Sequence, residues 1–231
     1  MSIGSFLAGA FEKIPEWPVK NDIRYFLAFS PIVPDFIADL SPVKGYEMRY
    51  HLKRGDFVVD AGAYPGDYAV FAARKVGNEG KVIAFEPDPK NREVLKKILR
   101  YEKLNNVIIV PKGLWNENTE LKIESSDGLH SKLGVSKNTL EIPVVRLDDE
   151  LKNLGIKKVD VLKMDIEGAE IEALEGCVDT LRKNKVNVII ASYHIVKGKR
   201  TSYYVEDFLK KLGYSAMSAF PKHLTTYGWK S

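Results

Sequence analysis

The sequence predicts a doubly wound α/β fold: a mostly parallel sheet, an antiparallel strand at its C-terminal end and a helical segment in front. Three observations predict it. From Asp56 onward, apolar runs of strand length alternate with amphipathic stretches of helix length, which is the pattern of βαβ units. Runs such as Asn187-Val188-Ile189-Ile190-Ala191 are apolar without alternation, as strands covered on both faces must be. The first strand runs into Asp60-Ala61-Gly62-Ala63-Tyr64-Pro65-Gly66, a glycine-bearing turn of the kind a strand-to-helix crossover needs.

Residues 1–50 stand apart. Trp17, Pro18, Tyr25, Phe26, Phe29, Pro31, Pro34 and Phe36 make them aromatic and proline-rich, so short amphipathic helices broken by prolines are expected there. Such a segment either layers on the sheet or covers the mouth of a ligand site. Residues 51–231 form the main domain. Its expected strands are Phe57–Ala61, Lys81–Glu86, Val107–Pro111, Val159–Met164 and Val186–Ser192, separated by helices over Tyr68–Lys75, Asn91–Glu102 and Ala169–Lys183. The last of these carries Glu170, Glu172 and Glu175 early and Arg182 and Lys183 late, matching the helix dipole. Leu121–Glu124 and Glu141–Val145 read as an inserted hairpin. A helix over Val205–Leu212 stops at Gly213, and Tyr214–Phe220 and Leu224–Trp229 close the sheet as an antiparallel pair.

Composition narrows the function classes. With 231 residues, 45% hydrophobic and 29% charged, the chain reads as a globular domain with a real core. Lys and Arg number 35 against 31 acids, a net charge of +4 without the clustered basic stripe of a nucleic-acid binder. The run Lys197-Gly198-Lys199-Arg200 is the exception: a solvated loop, or a contact for an anionic substrate. One cysteine, Cys177, excludes an intrachain disulfide and fits a reducing compartment, so a cytoplasmic protein is expected. The N-terminus lacks the basic region of a secretory signal, and no apolar run has the length of a membrane span.

The turn also carries chemistry. Its glycines, Gly62 and Gly66, are not spaced as in a dinucleotide fingerprint, and Asp60 would set negative charge against a pyrophosphate. An acid there suits a ligand with an amino or sulfonium cation. Glu86, at the carboxyl end of the second strand, suits ribose hydroxyls. S-adenosylmethionine has all three features. Ligands of open α/β sheets sit beyond the carboxyl ends of the strands, which should gather Asp60, Glu86, Gly113, Asp165 and His194 on one edge.

Four motifs occur in order: Asp60-Ala61-Gly62-Ala63-Tyr64-Pro65-Gly66, Phe85-Glu86-Pro87-Asp88-Pro89, Arg146-Leu147-Asp148-Asp149-Glu150-Leu151 and Lys163-Met164-Asp165-Ile166-Glu167-Gly168-Ala169-Glu170. In these the chain resembles the FkbM family of S-adenosylmethionine-dependent methyltransferases, from about Tyr46 to His194. The resemblance implies a class I, Rossmann-like methyltransferase domain over 51–231. It implies a cofactor site from Asp60, Gly62, Ala63, Tyr64, Gly66, Glu86, Pro87 and Gly113, with Trp115 either stacking near the adenine or packed in the core. Asp165, where the methyl would be delivered, and His194 are the candidate catalytic residues, either one a general base for a hydroxyl acceptor. His194 has the better intrinsic pKa for that task. Glu170 reads only as a first-turn acid. The chain departs from the family at Ser192-Tyr193-His194, where Glu-x-His is frequent, so a two-residue catalytic assignment there is weakened.

The expected reaction is O-methylation of a small molecule or sugar. RNA or protein N-methylation is an alternative, disfavoured by Asp165-Ile166-Glu167-Gly168 in place of an Asn/Asp-Pro-Pro-aromatic tetrapeptide. A module that binds the cofactor without turnover is a third reading. Asp165, Glu167 and His194 can gather one divalent ion, as in some related O-methyltransferases, but no local ligand spacing demands one and no metal is assigned. A homodimer is compatible with the sequence without being selected by it.

Overall fold

A computed structural model describes residues 42–124, 139–219 and 223–230. Of the helical segment expected over residues 1–50, residues 1–41 therefore lie outside the described residues, as do residues 125–138. A short helix α1 (Pro42–Tyr46) leads into β1 (Phe57–Ala61), α2 (Asp67–Val76), β2 (Lys81–Phe85), α3 (Pro89–Tyr101) and β3 (Val107–Val110). Next come β4 (Gly113–Leu114), β5 (Thr119–Glu124), β6 (Thr139–Val145) and α4 (Leu147–Asn153). The chain continues through β7 (Val161–Met164), α5 (Glu170–Glu175), α6 (Val178–Lys183), β8 (Asn187–Ala191), β9 (Ile195–Val196) and β10 (Lys199–Arg200). It ends with α7 (Thr201–Lys211), β11 (Ser215–Ala219) and β12 (Thr225–Trp229).

Seven strands form one sheet in the order β11-β12-β8-β7-β1-β2-β3. The five from β8 to β3 are parallel, and β12 runs antiparallel to both of its neighbours, as expected. The chain steps outward from β1 to β3 and returns to β7 on the other side of β1, so the order reverses between β1 and β7. A ligand crevice opens outside the carboxyl ends of the strands at such a point.

Side-chain alternation splits the core into two layers. Val58, Val82 and Val161 face α2 and α3; their chain neighbours Val59, Ile83 and Leu162 face the α4–α7 side. Because both faces are covered, the central strands carry no polar alternation. α3 starts where Asp88 accepts hydrogen bonds from the N–H groups of Lys90 and Asn91, with Pro89 in the first helical turn. Among the described residues, no helix is long and apolar enough to cross a membrane.

Several expectations need correction. The single helix over Ala169–Lys183 is two, α5 and α6, broken at Gly176-Cys177. A Cβ on Gly176 would lie 2.1 Å from the Trp115 carbonyl oxygen, so the chain is pressed against another loop there. The second helix then receives its own cap from Asp148, which accepts from the N–H groups of Asp179 and Thr180 and from the Thr180 hydroxyl. The acids and bases that match the dipole of one helix are divided between two. Helix α4 was not anticipated, being too short at 7 residues to show a period. α7 begins at Thr201, four residues before Val205. The Lys197–Arg200 run is a hairpin: Lys197 and Gly198, at φ +51° and +76°, make the two-residue turn between β9 and β10. The antiparallel pair expected from Leu121–Glu124 and Glu141–Val145 is present as β5 and β6, and β4 extends it to a three-stranded sheet of order β4-β6-β5.

Candidate active site

A cleft open to solvent lies at the carboxyl ends of β1, β2 and β7. Gly62, Tyr64, Glu86, Pro87, Gly113 and Asp165 line it, which brings together six of the ten residues anticipated from the sequence. Asp60, Ala63, Gly66 and His194 do not line it.

The turn after β1 is shaped by its glycines. Gly62 sits at φ +75°, and a Cβ there would fall 2.0 Å from the Asp165 carbonyl oxygen. Gly66 sits at φ +117° against Leu95 and leads into α2. The N–H groups of Gly62 and Ala63 both donate to the Phe85 carbonyl at 3.1 Å, tying the turn to the end of β2. The Tyr64–Pro65 peptide is cis. Ala63 and Gly66 thus hold the turn from behind.

Asp60 lies beneath the turn, fully buried. Its Oδ1 is 2.9 Å from Lys163 Nζ, which also donates to the Gly62 carbonyl at 3.1 Å. Burial pushes the Asp60 carboxyl up to about 6 while Lys163 pulls it back. Burial opposes the Lys163 charge, but Asp60 and Asp165 outweigh it and raise its pKa. The pair is therefore ionised at neutral pH. Asp60 is already neutralised by Lys163, so its charge is not what a cationic ligand meets. Among the described residues, Asp67, Glu86, Asp165 and Glu167 are the acids on the wall, against the one cation Lys163. That balance still suits a cation.

Glu86, 5% exposed, accepts hydrogen bonds from the N–H of Asp88 at 3.0 Å, the N–H of Tyr64 at 3.3 Å and the Asn91 amide at 3.5 Å. Burial outweighs these donors and pushes its carboxyl up to about 7. Across the cleft, Gly113 opens β4, where a Cβ would meet Val144 at 3.1 Å. Leu121, Ile123, Ile142 and Val144 of the small sheet, with Trp115, make an apolar wall. Trp115 is half-buried on that wall, outside both large core clusters.

Asp165 follows β7, and its N–H donates to the Ala61 carbonyl at 3.0 Å. Its carboxylate accepts from the Tyr46 and Tyr193 hydroxyls, each at 3.2 Å, and His223 Nε2 stands 3.7 Å away. Burial raises the pKa of both tyrosines, so they remain donors. Burial lowers that of His223, which is neutral at pH 7. Glu167 then takes φ +57°, uncommon for a residue with a side chain. Glu170, fully buried, secures this turn by accepting from the N–H groups of Ile166 and Gly168, both at 3.2 Å. It is more than a first-turn acid.

His194 sits behind that turn, Nδ1 3.0 Å from Glu170 and Nε2 3.4 Å from Glu167. Burial works against a charged ring, but the two carboxylates outweigh it and push its pKa up to about 10. With no other cation between those carboxylates, the ring is protonated at neutral pH and has no lone pair with which to take a proton. The expectation that His194 is the better-tuned base is reversed by its neighbours. Ser192, in place of the family's frequent acid, points into the sheet and shares a 2.7 Å hydrogen bond with Thr226.

Sequence reasoning missed Lys163, Tyr46, Tyr193 and His223. Lys163 had a signal, a charge inside the apolar run Val161–Met164. The other three are single aromatic or imidazole residues without a motif.

The fold and the cleft define a class: an open α/β sheet with a ligand crevice at its switch point. The methyltransferase FkbM domain profile matches residues 60–216. The chain belongs to that family, which makes it an S-adenosylmethionine-dependent methyltransferase with a class I fold. It is 28% identical over 221 residues to methyltransferase sdnD of Sordaria araneosa, covering 80% of this chain and 84% of that one. It is 27% identical over 143 residues to the hexuronic acid methyltransferase AglP of Haloferax volcanii, covering 60% and 56%. The crystal structure of a methyltransferase FkbM from Methylobacillus flagellatus shares the fold, with a TM-score of 0.60 at 18% identity; the match covers 98% of this chain and 59% of that one.

Proposed function

We propose that this chain methylates a hydroxyl group of a small molecule or sugar, with S-adenosylmethionine held between the glycine turn and Glu86. The residues present fit such a cofactor: an acid-rich wall for its cationic end, the Glu86 carboxylate for a ribose, and an apolar wall for a base. When bound, the cofactor would supply an electrophilic methyl group on a sulfonium. Gly62 and Tyr64 would border its methionine half, Glu86 and Pro87 its ribose, and Gly113 its adenine.

The observation that carries the reading is Asp165: a carboxylate on the cleft wall at the end of β7, its orientation held by two tyrosine hydroxyls. An acceptor hydroxyl donating to that carboxylate would be oriented for attack, and Asp165 would take its proton as the oxygen–carbon bond forms and the methyl's bond to sulfur breaks, the thioether leaving as S-adenosylhomocysteine. His194 stays out of that step and keeps the turn beneath Glu167 in place. The likeness to a hexuronic acid methyltransferase supports a sugar acceptor.

The test is a panel of uronic acids, neutral sugars and sugar nucleotides, with S-adenosylhomocysteine release as readout. Wild-type turnover on at least one hydroxyl acceptor, and a loss of about 100-fold or more in kcat for Asp165→Asn, is expected from removal of a general base. Turnover on none of them, or an Asp165→Asn variant as fast as wild type, would overturn the assignment.

A further inference from the structure

The reaction drawn above leaves Glu167 and His194 facing one another beside Asp165 without a chemical part. One ligand atom from each of Asp165, Glu167 and His194 lies within 4.8 Å of the other two. The three arrive from the ends of two adjacent parallel strands, β7 and β8. His194 is the independent sign that something belongs there. Its side chain is 9% exposed, and among the described residues its ring nitrogens meet the carboxylates of Glu170 at 3.0 Å and Glu167 at 3.4 Å, in neither case along a directed hydrogen bond. A buried imidazole ordinarily has one.

The surroundings agree. Glu170 lies against Nδ1 and leaves Nε2 toward Glu167, the arrangement in which a carboxylate fixes the tautomer and direction of a metal-binding imidazole. Glu167 reaches this position through a left-handed backbone, an arrangement that persists where the surroundings hold it. The two N–H groups on Glu170 hold it. Asp165 and Glu167 line the cleft, so an ion seated on them keeps open positions toward a bound acceptor.

We propose that Asp165, Glu167 and His194 bind one divalent cation of the Mn²⁺ kind, which takes the place of the proton on His194 Nε2. Two carboxylate oxygens favour Mg²⁺ or Mn²⁺ and one imidazole favours later metals; Mn²⁺ satisfies both. Ligands about 2.1 Å from one ion stand roughly 3–4 Å apart, so the three groups close by about an ångström on binding. The role of the ion rests on the hydroxyl-methylation reading: it would orient an acceptor oxygen and loosen its proton. Its binding does not rest on that reading.

The experiment titrates Mn²⁺ into chelator-treated full-length protein, with and without S-adenosylhomocysteine, following free Mn²⁺ by electron paramagnetic resonance. Zn²⁺ and Mg²⁺ serve as competitors. One equivalent should bind, and Glu167→Gln and His194→Gln should each weaken it at least tenfold, while exposed Glu93→Gln leaves it unchanged. Circular dichroism confirms that each variant is folded. Absence of saturable binding of any of the three ions, or equal binding in both ligand variants, overturns the site. Methyl transfer that persists undiminished with chelator also overturns it and leaves the proposed reaction standing. Stoichiometric binding that needs Glu167 and His194, without turnover on any hydroxyl acceptor, supports the site and sinks the reaction.

Discussion

Glu86 changes charge near pH 7, and that makes cofactor binding a test of its role. Burial sets its carboxyl to about 7 despite three donors. A ribose diol can donate both of its hydroxyls only to the ionised form. With a pKa of about 7 the ionised fraction is about 0.1 at pH 6 and about 0.9 at pH 8, so affinity should rise roughly ninefold, or about 1.3 kcal/mol. By linkage, binding at pH 6 should expel most of one proton, and binding at pH 8 only about a tenth. The stability of the free protein runs the other way. The folded state holds this proton more tightly than the unfolded state, whose carboxyl titrates near 4.5. Stability is therefore lost as pH rises from 4.5 through 7, by at most about 3 kcal/mol.

The assay is calorimetric titration of S-adenosylhomocysteine at pH 6, 7 and 8, in paired buffers of high and low ionisation enthalpy, beside Glu86→Gln. The ligand's own amino group, that of a free amino acid beside its carboxylate, stays protonated from pH 6 to 8 in both proteins, so the difference between them isolates Glu86. Wild type should gain affinity with pH and release protons at pH 6; Glu86→Gln should do neither. The reasoning is refuted if the two proteins share one pH slope, or if wild type binds at pH 6 without releasing a proton.

Three further predictions concern the frame. Lys163→Met strands Asp60 as a buried lone charge and should cost about 3–5 kcal/mol in urea denaturation. Adding Asp60→Asn should recover most of that, and a double variant no more stable than the single would contradict the pairing. Gly62→Ala drives a Cβ into the Asp165 carbonyl, so a loss above about 3 kcal/mol or outright failure to fold is expected; a stable variant with normal cofactor affinity would contradict the close approach. Lys103, exposed just past α3 at φ +54°, should accept glycine with a gain of about 0.5–1 kcal/mol, read as a rise in thermal midpoint; a destabilised Lys103→Gly would show that the strained backbone is not limiting.

The glycine-turn half of the cleft, proposed to hold the cofactor, was legible because its shape depends on backbone. Gly62 must be glycine where the turn passes over Asp165, and an acid ends β2 at Glu86; both are read from type and spacing. Asp60 was legible as an acid but not as half of an ion pair, since its partner lies 103 residues away on the neighbouring strand. The acceptor half was opaque for the same physical reason. Tyr46, Tyr193 and His223 approach Asp165 from three separate segments, and nothing local in the sequence marks an aromatic residue as a hydroxyl donor rather than core. The break between α5 and α6 was hidden because the contact that forces it, the Trp115 carbonyl on Gly176, comes from 61 residues upstream.

The two halves are nonetheless one rigid unit. The Asp165 N–H is bonded to the Ala61 carbonyl, the Asp165 carbonyl leaves room only for a glycine at 62, and Lys163 holds both Asp60 and the Gly62 carbonyl. All of these links cross the single seam between β1 and β7. Methyl transfer places donor and acceptor in line, and small displacements are costly in rate. A carboxylate on a mobile loop would vary its distance to the glycine turn; Asp165, which starts where β7 ends and is hydrogen-bonded to β1, is held at one distance, as the proposed role requires. The same seam explains the cost of a buried charge pair. Replacing Asp60 and Lys163 by apolar residues could leave the sheet as stable, but would release the Gly62 carbonyl and with it the position of the turn relative to Asp165. The pair is therefore expected to matter more for kcat than for stability, and the paired Asp60→Asn, Lys163→Met variant separates the two: a recovered urea midpoint with kcat still reduced at least tenfold is the outcome that the shared seam demands.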